Sequence, residues 1–237
     1  MHKQAKFLYT KKIFRTEKCS CMNIEKTIVY IVRHGESIGN LNKICLGHTD
    51  LNLTDLGLLQ ARKTFENLKD VDFTAIYSSD LIRAVNTAKP HAEYRNLPVE
   101  TSPEFRELYF GDWENQSVEH LKEVYGDMFT VGWRQVFGDF TPPNGESVPQ
   151  MANRMVGGII KIASRHRGEK ILVTSHAAAI RALWGKISGY KPHEWGSAYP
   201  FPSNASYSIV EVLGDVVTPV RYSVDEHLAE YATNIQH

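Results

Sequence analysis

Two short runs, "TIVYIV" at residues 27–32 and "ILVT" at 171–174, are apolar or β-branched at nearly every position instead of at every second one. Strands of that kind are covered on both faces, so they belong in the middle of a sheet with helices packed above and below it. Three more strands are expected at 75–78, 206–213 and 216–222, the last two joined by Gly214-Asp215 as a tight antiparallel hairpin at one edge. Between the strands, apolar residues recur at helical spacing over 54–68, 80–88, 118–137, 147–165 and 177–187. Thr54 and Asp80 stand where side-chain caps of the first two helices would stand. The alternation predicts an α/β chain: a three-layer α/β/α sandwich with a mostly parallel central sheet.

At 237 residues the chain is long enough for one such domain, expected over 27–237, with an aromatic-rich helical insertion at about 115–165. The basic start, residues 1–26, reads as a loosely ordered extension; it lacks the 7 to 15 apolar residues of a signal peptide. No apolar run approaches the roughly 20 residues that span a bilayer, so no membrane partner is expected. Lys plus Arg equals Asp plus Glu at 27 each. That balance supplies no long-range field for nucleic acid, and any anion site must be local. Three cysteines, Cys19, Cys21 and Cys45, are too few for a disulfide scaffold, and no second pair follows at zinc-like spacing. A cytoplasmic protein without metal or other cofactor is expected.

The chemistry-bearing residues gather where strands end. "IVYIVRHG" puts Arg33 and His34 at the carboxyl end of one strand, "AIYSSDLIRA" puts Arg83 in the first turn after a second, and "ILVTSHAAAIRA" puts His176 where a third becomes a helix. In an open parallel sheet, ligands bind outside the carboxyl ends of the strands, so the three junctions can face one cavity. Helix N-termini there add free N–H groups and partial positive charge. Guanidinium groups offer paired planar donors that match two phosphate oxygens, which points to a phosphoryl ligand. Ser175 beside His176 suggests no serine hydrolase, because no Gly-x-Ser-x-Gly elbow is present.

At these residues the chain resembles the histidine phosphatase superfamily, the phosphoglycerate-mutase-like enzymes. "RHGESIGN" is the most specific match, and "GHTDLNLTDLGLLQA", "YSSDLIRAVNTA", "ELYFGDWE", "NGESVPQMANR" and "SHAAAIRAL" follow in the family's order. The resemblance implies that His34 is a nucleophile that becomes phosphohistidine, that Arg33, Asn40, Arg83 and His176 hold the phosphoryl oxygens, and that Glu107 donates the proton to the leaving oxygen. Gly35, Glu36, Ser37 and Ala177 would support them, Gly35 by letting the backbone approach the ligand closely. Ala177 stands where the family usually has Gly. A transfer of this kind asks for positioning and for charge neutralisation on three oxygens, which these groups can supply. His34 must attack as neutral imidazole, favoured by the nearby arginines, with its tautomer fixed by a partner on the other ring nitrogen. Spacing does not separate Glu107 from its rivals Glu36 and Glu104; Glu36 equally fits a role in loop geometry.

The superfamily's phosphohistidine can pass its phosphoryl group to water or to a sugar acid. Gly39 in place of a Trp before Asn40, and "RELYFGDWE" in place of the mutases' Glu-Arg-His-Tyr-Gly block, make the chain similar to the phosphatase branch. The expected substrate is a small phosphorylated metabolite, with a mutase or a non-catalytic phospho-ligand binder as alternatives. Tyr109, Phe110, Trp113, Trp133 and Phe137 fit either an apolar leaving-group pocket or the core of the insertion.

Overall fold

The computed structural model describes residues 25–133 and 137–232. Cys19 and Cys21, and all of the expected extension except Glu25 and Lys26, lie outside them. Six strands, β1 (Thr27–Arg33), β2 (Phe73–Ser78), β3 (Val99–Thr101), β4 (Lys170–Ser175), β5 (Tyr207–Leu213) and β6 (Val216–Val224), form one sheet in the order β3-β2-β4-β1-β5-β6. The first four in that order run parallel, and β5 and β6 are antiparallel. Strands β1 and β4 lie side by side in the middle, as their unbroken apolar runs require.

The pleat explains the layers. On β4, Ile171 and Val173 join one core with Val29 and Ile31, while Leu172 faces the opposite way with Val32 and Ile76. The helices are α1 (Ile38–Leu41), α2 (Asp55–Leu68), α3 (Ile82–Arg95), α4 (Val118–Tyr125), α5 (Val148–Ala163), α6 (Ala177–Ile187) and α7 (Trp195–Ala198). Met151, Met155 and Ile159 of α5 and Leu183 of α6 fill the first core, and Leu68 of α2 with Ala88 and Ala92 of α3 fills the second. Each buried Leu, Ile or Met among them contributes about 1.5–3 kcal/mol by leaving water. Helix α6 is buried from Ala177 through Gly185, with Arg181 the one charged residue in that stretch. Ser147 and Gln150 form a reciprocal cap that starts α5, and Thr54 caps α2 as expected.

Four local expectations change. Helix α3 runs through Pro90 to Arg95 instead of stopping at Ala88: buried Ala84, Ala88 and Ala92 hold it against the sheet, which offsets the one hydrogen bond that proline cannot make. Asp80 does not cap it. Both Asp80 oxygens accept from Arg106 at 2.6 Å, and the first helical N–H, that of Ile82, donates instead to Asp50 at 2.7 Å. The helix expected over 118–137 ends at Tyr125, where Gly126 turns to φ +49°, and a separate wide turn at Met128–Gly132 follows. Strand β3 has three residues at the sheet edge, too short to leave a periodic signal.

Candidate active site

Arg33 ends β1, His34 follows it, His176 is the N-cap residue of α6, and Arg83 lies in the first turn of α3. The backbone stitches the junctions together: His34 N–H donates to Ser175 O at 2.9 Å and Ser79 N–H to Thr174 O at 2.8 Å. The rings of His34 and His176 lie 5.1 Å apart, and both residues are buried with Arg33 and Arg83. Arg33, His34, Asn40, Arg83, Glu107, Ala177 and Ala178 line one cleft, whose empty space with its mouth is about 680 Å³.

Nδ1–H of His34 donates to the carbonyl of Gly35 at 2.7 Å, since a carbonyl can only accept. Nε2 therefore carries the lone pair. Burial, and after it the charges of Arg83 and Arg33, hold the imidazole neutral well below its ordinary range. His176 is held neutral first by burial and then by Arg83 and His34. Desolvation lowers both guanidinium groups to about 10, which leaves them charged at neutral pH. Among the described residues, Nε of Arg33, Nε of Arg83 and both ring nitrogens of His176 are buried without a hydrogen-bond partner. Buried donors of this kind cost free energy unless a ligand satisfies them, so the arrangement is built to take an anion.

The supporting residues hold this geometry. Oδ1 of Asn40 accepts from Ser37 N–H and from Nδ2 of Asn204, which fixes the amide's orientation because a backbone N–H can only donate. Ser37 caps α1 in the same reciprocal motif. Glu36 serves the loop: its carboxylate accepts from Thr54 at 2.8 Å, and its N–H donates to Gln60. Glu104 pairs with Lys161 on α5. Of the three rival carboxylates only Glu107 is among the residues lining the cleft, and its oxygens accept from the N–H groups of Ala178 and Ala179 at 3.1 Å.

Gly35 has a different purpose from the expected one. A Cβ there would lie 2.3 Å from the carbonyl oxygen of Gly57 in α2, and one on Gly57 would lie 2.0 Å from Glu36 O. The missing side chains let loop and helix touch backbone to backbone. Gly35→Ala should therefore lose about 2–3 kcal/mol, read as a lower denaturation midpoint in urea with unchanged slope.

Three residues passed unnoticed in the sequence. Asn204 donates to His34 O as well as to Asn40. Thr87 accepts from Gly35 N–H and donates to Arg83 O. Arg154 donates to the carbonyls of Glu104, Arg106 and Glu107 while Glu146 holds it from the other side. Arg154 sits in the block "NGESVPQMANR", the only signal available for it. The aromatic residues divide: Phe110 and Trp133 line the cleft together with Phe129 and Phe201, Trp113 and Phe137 are core, and Tyr109 is exposed with its ring against His48.

Known proteins similar to this chain carry two kinds of name. The chain is 33% identical over 205 residues to the uncharacterized phosphatase PhoE of Bacillus subtilis, covering 86% of this chain and 98% of that protein. It is 32% identical over 169 residues to the probable phosphoglycerate mutase GpmB of Yersinia pestis, covering 70% and 76%. The solved structure of YhfR from Bacillus stearothermophilus superposes with a TM-score of 0.79 at 26% identity, covering 85% of this chain and 99% of that one. The sequence profile of the histidine phosphatase superfamily (branch 1) matches residues 29–225. With a six-stranded sheet of matching architecture and two buried histidines and two buried arginines at its strand ends, the chain belongs to the histidine phosphatase superfamily.

Proposed function

We propose that the protein is a metal-independent phosphatase that hydrolyses small phosphate monoesters through a phosphohistidine on His34. The observation that carries this reading is the pairing of a neutral His34, its Nε2 lone pair free, with buried unsatisfied donors on Arg33, Arg83 and His176. Nε2 of His34 attacks phosphorus, the ester P–O bond breaks, and the departing oxygen takes a proton from Glu107. Arg33, Arg83, His176 and the amide of Asn40 hold the oxygens while charge redistributes. Water then attacks the phosphohistidine, gives its proton to the Glu107 carboxylate, and inorganic phosphate leaves with His34 restored. Phosphate oxygens seated at the start of α6 compete with Glu107 for the N–H groups of Ala178 and Ala179, which turns the carboxyl toward the leaving oxygen.

Beyond the phosphoryl end the described wall is apolar: Ile44, Leu46, Val118, Phe110, Phe129, Trp133 and Phe201. That lining favours an apolar leaving group over a sugar acid, whose carboxylate would be desolvated there without a dedicated cation among the described residues. The test is a panel of aryl, alkyl and sugar phosphates with 3-phosphoglycerate, assayed in chelator, with and without the bisphosphate primer. Phosphate release that is fastest from aryl esters is expected. Isomerised phosphoglycerate without net phosphate release would establish the mutase reading instead.

A further inference from the structure

Arg83 is buried in the site, yet among the described residues no carboxylate forms an ion pair with its guanidinium. Nη1 donates to Thr49 O at 2.8 Å and Nη2 to Gly47 O at 2.7 Å, so two loop carbonyls set its direction. Two of its five donors are spent on them, and three remain for a ligand. A loop that aims an arginine must itself be fixed. Residues 47–49 are held by Glu114, at the end of the turn Gly111–Trp113. Its Oε1 accepts from His48 N–H at 2.7 Å and from Phe110 N–H at 3.2 Å, and its Oε2 from the Thr49 hydroxyl at 3.2 Å. The carboxylate packs so closely that a Cβ on Gly47, which sits at φ +52°, would lie 2.1 Å from Oε1.

We infer that Glu114 is a positioning residue for the phosphoryl site: by clamping residues 47–49 it aims the two carbonyls that orient Arg83. The inference rests on the proposed role of Arg83 in holding phosphate. A carboxylate suits the task because charge-assisted bonds to N–H and O–H donors are about twice as strong as neutral ones, and one group gathers three donors from two segments. Glu114 is outside the set of residues lining the cleft, but its charge also reaches Arg83, so the neutral E114Q variant separates the clamp from the charge.

The test is a double-mutant cycle on the full chain, reading the affinity for inorganic phosphate by calorimetry together with the melting temperature. R83A should weaken phosphate about 100-fold and E114A about 10-fold, since small misplacements of a positioned group carry costs of that order. In the R83A background E114A should cost less than about twofold, because the group it aims is gone. E114Q keeps an acceptor for both N–H groups and should bind within about threefold of the wild type. Full multiplication of the two losses, or wild-type binding by E114A, would overturn the clamp while leaving the phosphoryl site intact. Unchanged binding by R83A would overturn the phosphoryl-site reading and the clamp with it. Should E114A fail to fold, T49V removes one of the three donors, and its loss of binding must likewise vanish beside R83A or the clamp is wrong.

Discussion

Replacing His34 by alanine is expected to lower phosphate release from any ester by at least about 10⁴-fold, with little change in the affinity for inorganic phosphate. In the proposed mechanism Arg33 and Arg83 in the cleft, with buried His176, would still hold the anion while the atom that accepts the phosphoryl group is gone. A radiolabelled ester mixed with the wild type and quenched in base should leave a base-stable, acid-labile phosphoryl-protein, absent from the variant. Residual turnover within about tenfold of the wild type would end the phosphohistidine reading. The pH profile carries a linked expectation. The neutral imidazole is the reactive form, and burial with the two guanidinium charges moves His34 well below its ordinary range. As pH falls through about 6.5, where an unperturbed histidine would take up a proton, His34 stays neutral and kcat/KM shows no histidine step.

Glu107→Gln should separate proton donation from binding. The amide fits the same space but cannot give up a proton, so alkyl phosphates, whose leaving alkoxide needs one, should slow by about 10²–10⁴-fold. An aryl ester with an acidic phenol leaves without help and should lose far less. Equal losses for both esters would mean that the substitution disturbs the start of α6, where the carboxylate accepts from Ala178 and Ala179, and that Glu107 is not the donor.

Fold and site differed in how much of each could be read from the residues. Continuous apolar runs placed β1 and β4 in the middle of the sheet because burial on both faces leaves no position free for a polar side chain. Thr54 marked the start of α2 because a cap is a local bond between neighbours in the chain. Asp80 had the same local appearance, but the nearby Arg106 took its carboxylate and left the first turn of α3 to Asp50, thirty-two positions away in sequence.

The chain by itself determined five of the six strands, the layers, and the three strand ends at which arginine and histidine meet, since periodicity and strand polarity are properties of consecutive residues. Only the tertiary structure decided what those residues do to one another. Burial, an outcome of packing, holds His34 neutral more than its arginine neighbours do. The choice of Glu107 over Glu36 and Glu104 as the carboxylate in the cleft came from which loop folds over which, and so did the uses of Asn204, Arg154 and Glu114. Gly35 was read as room for a ligand and proved to be room for Gly57, because contact between two backbones distant in sequence leaves no periodic trace in either segment.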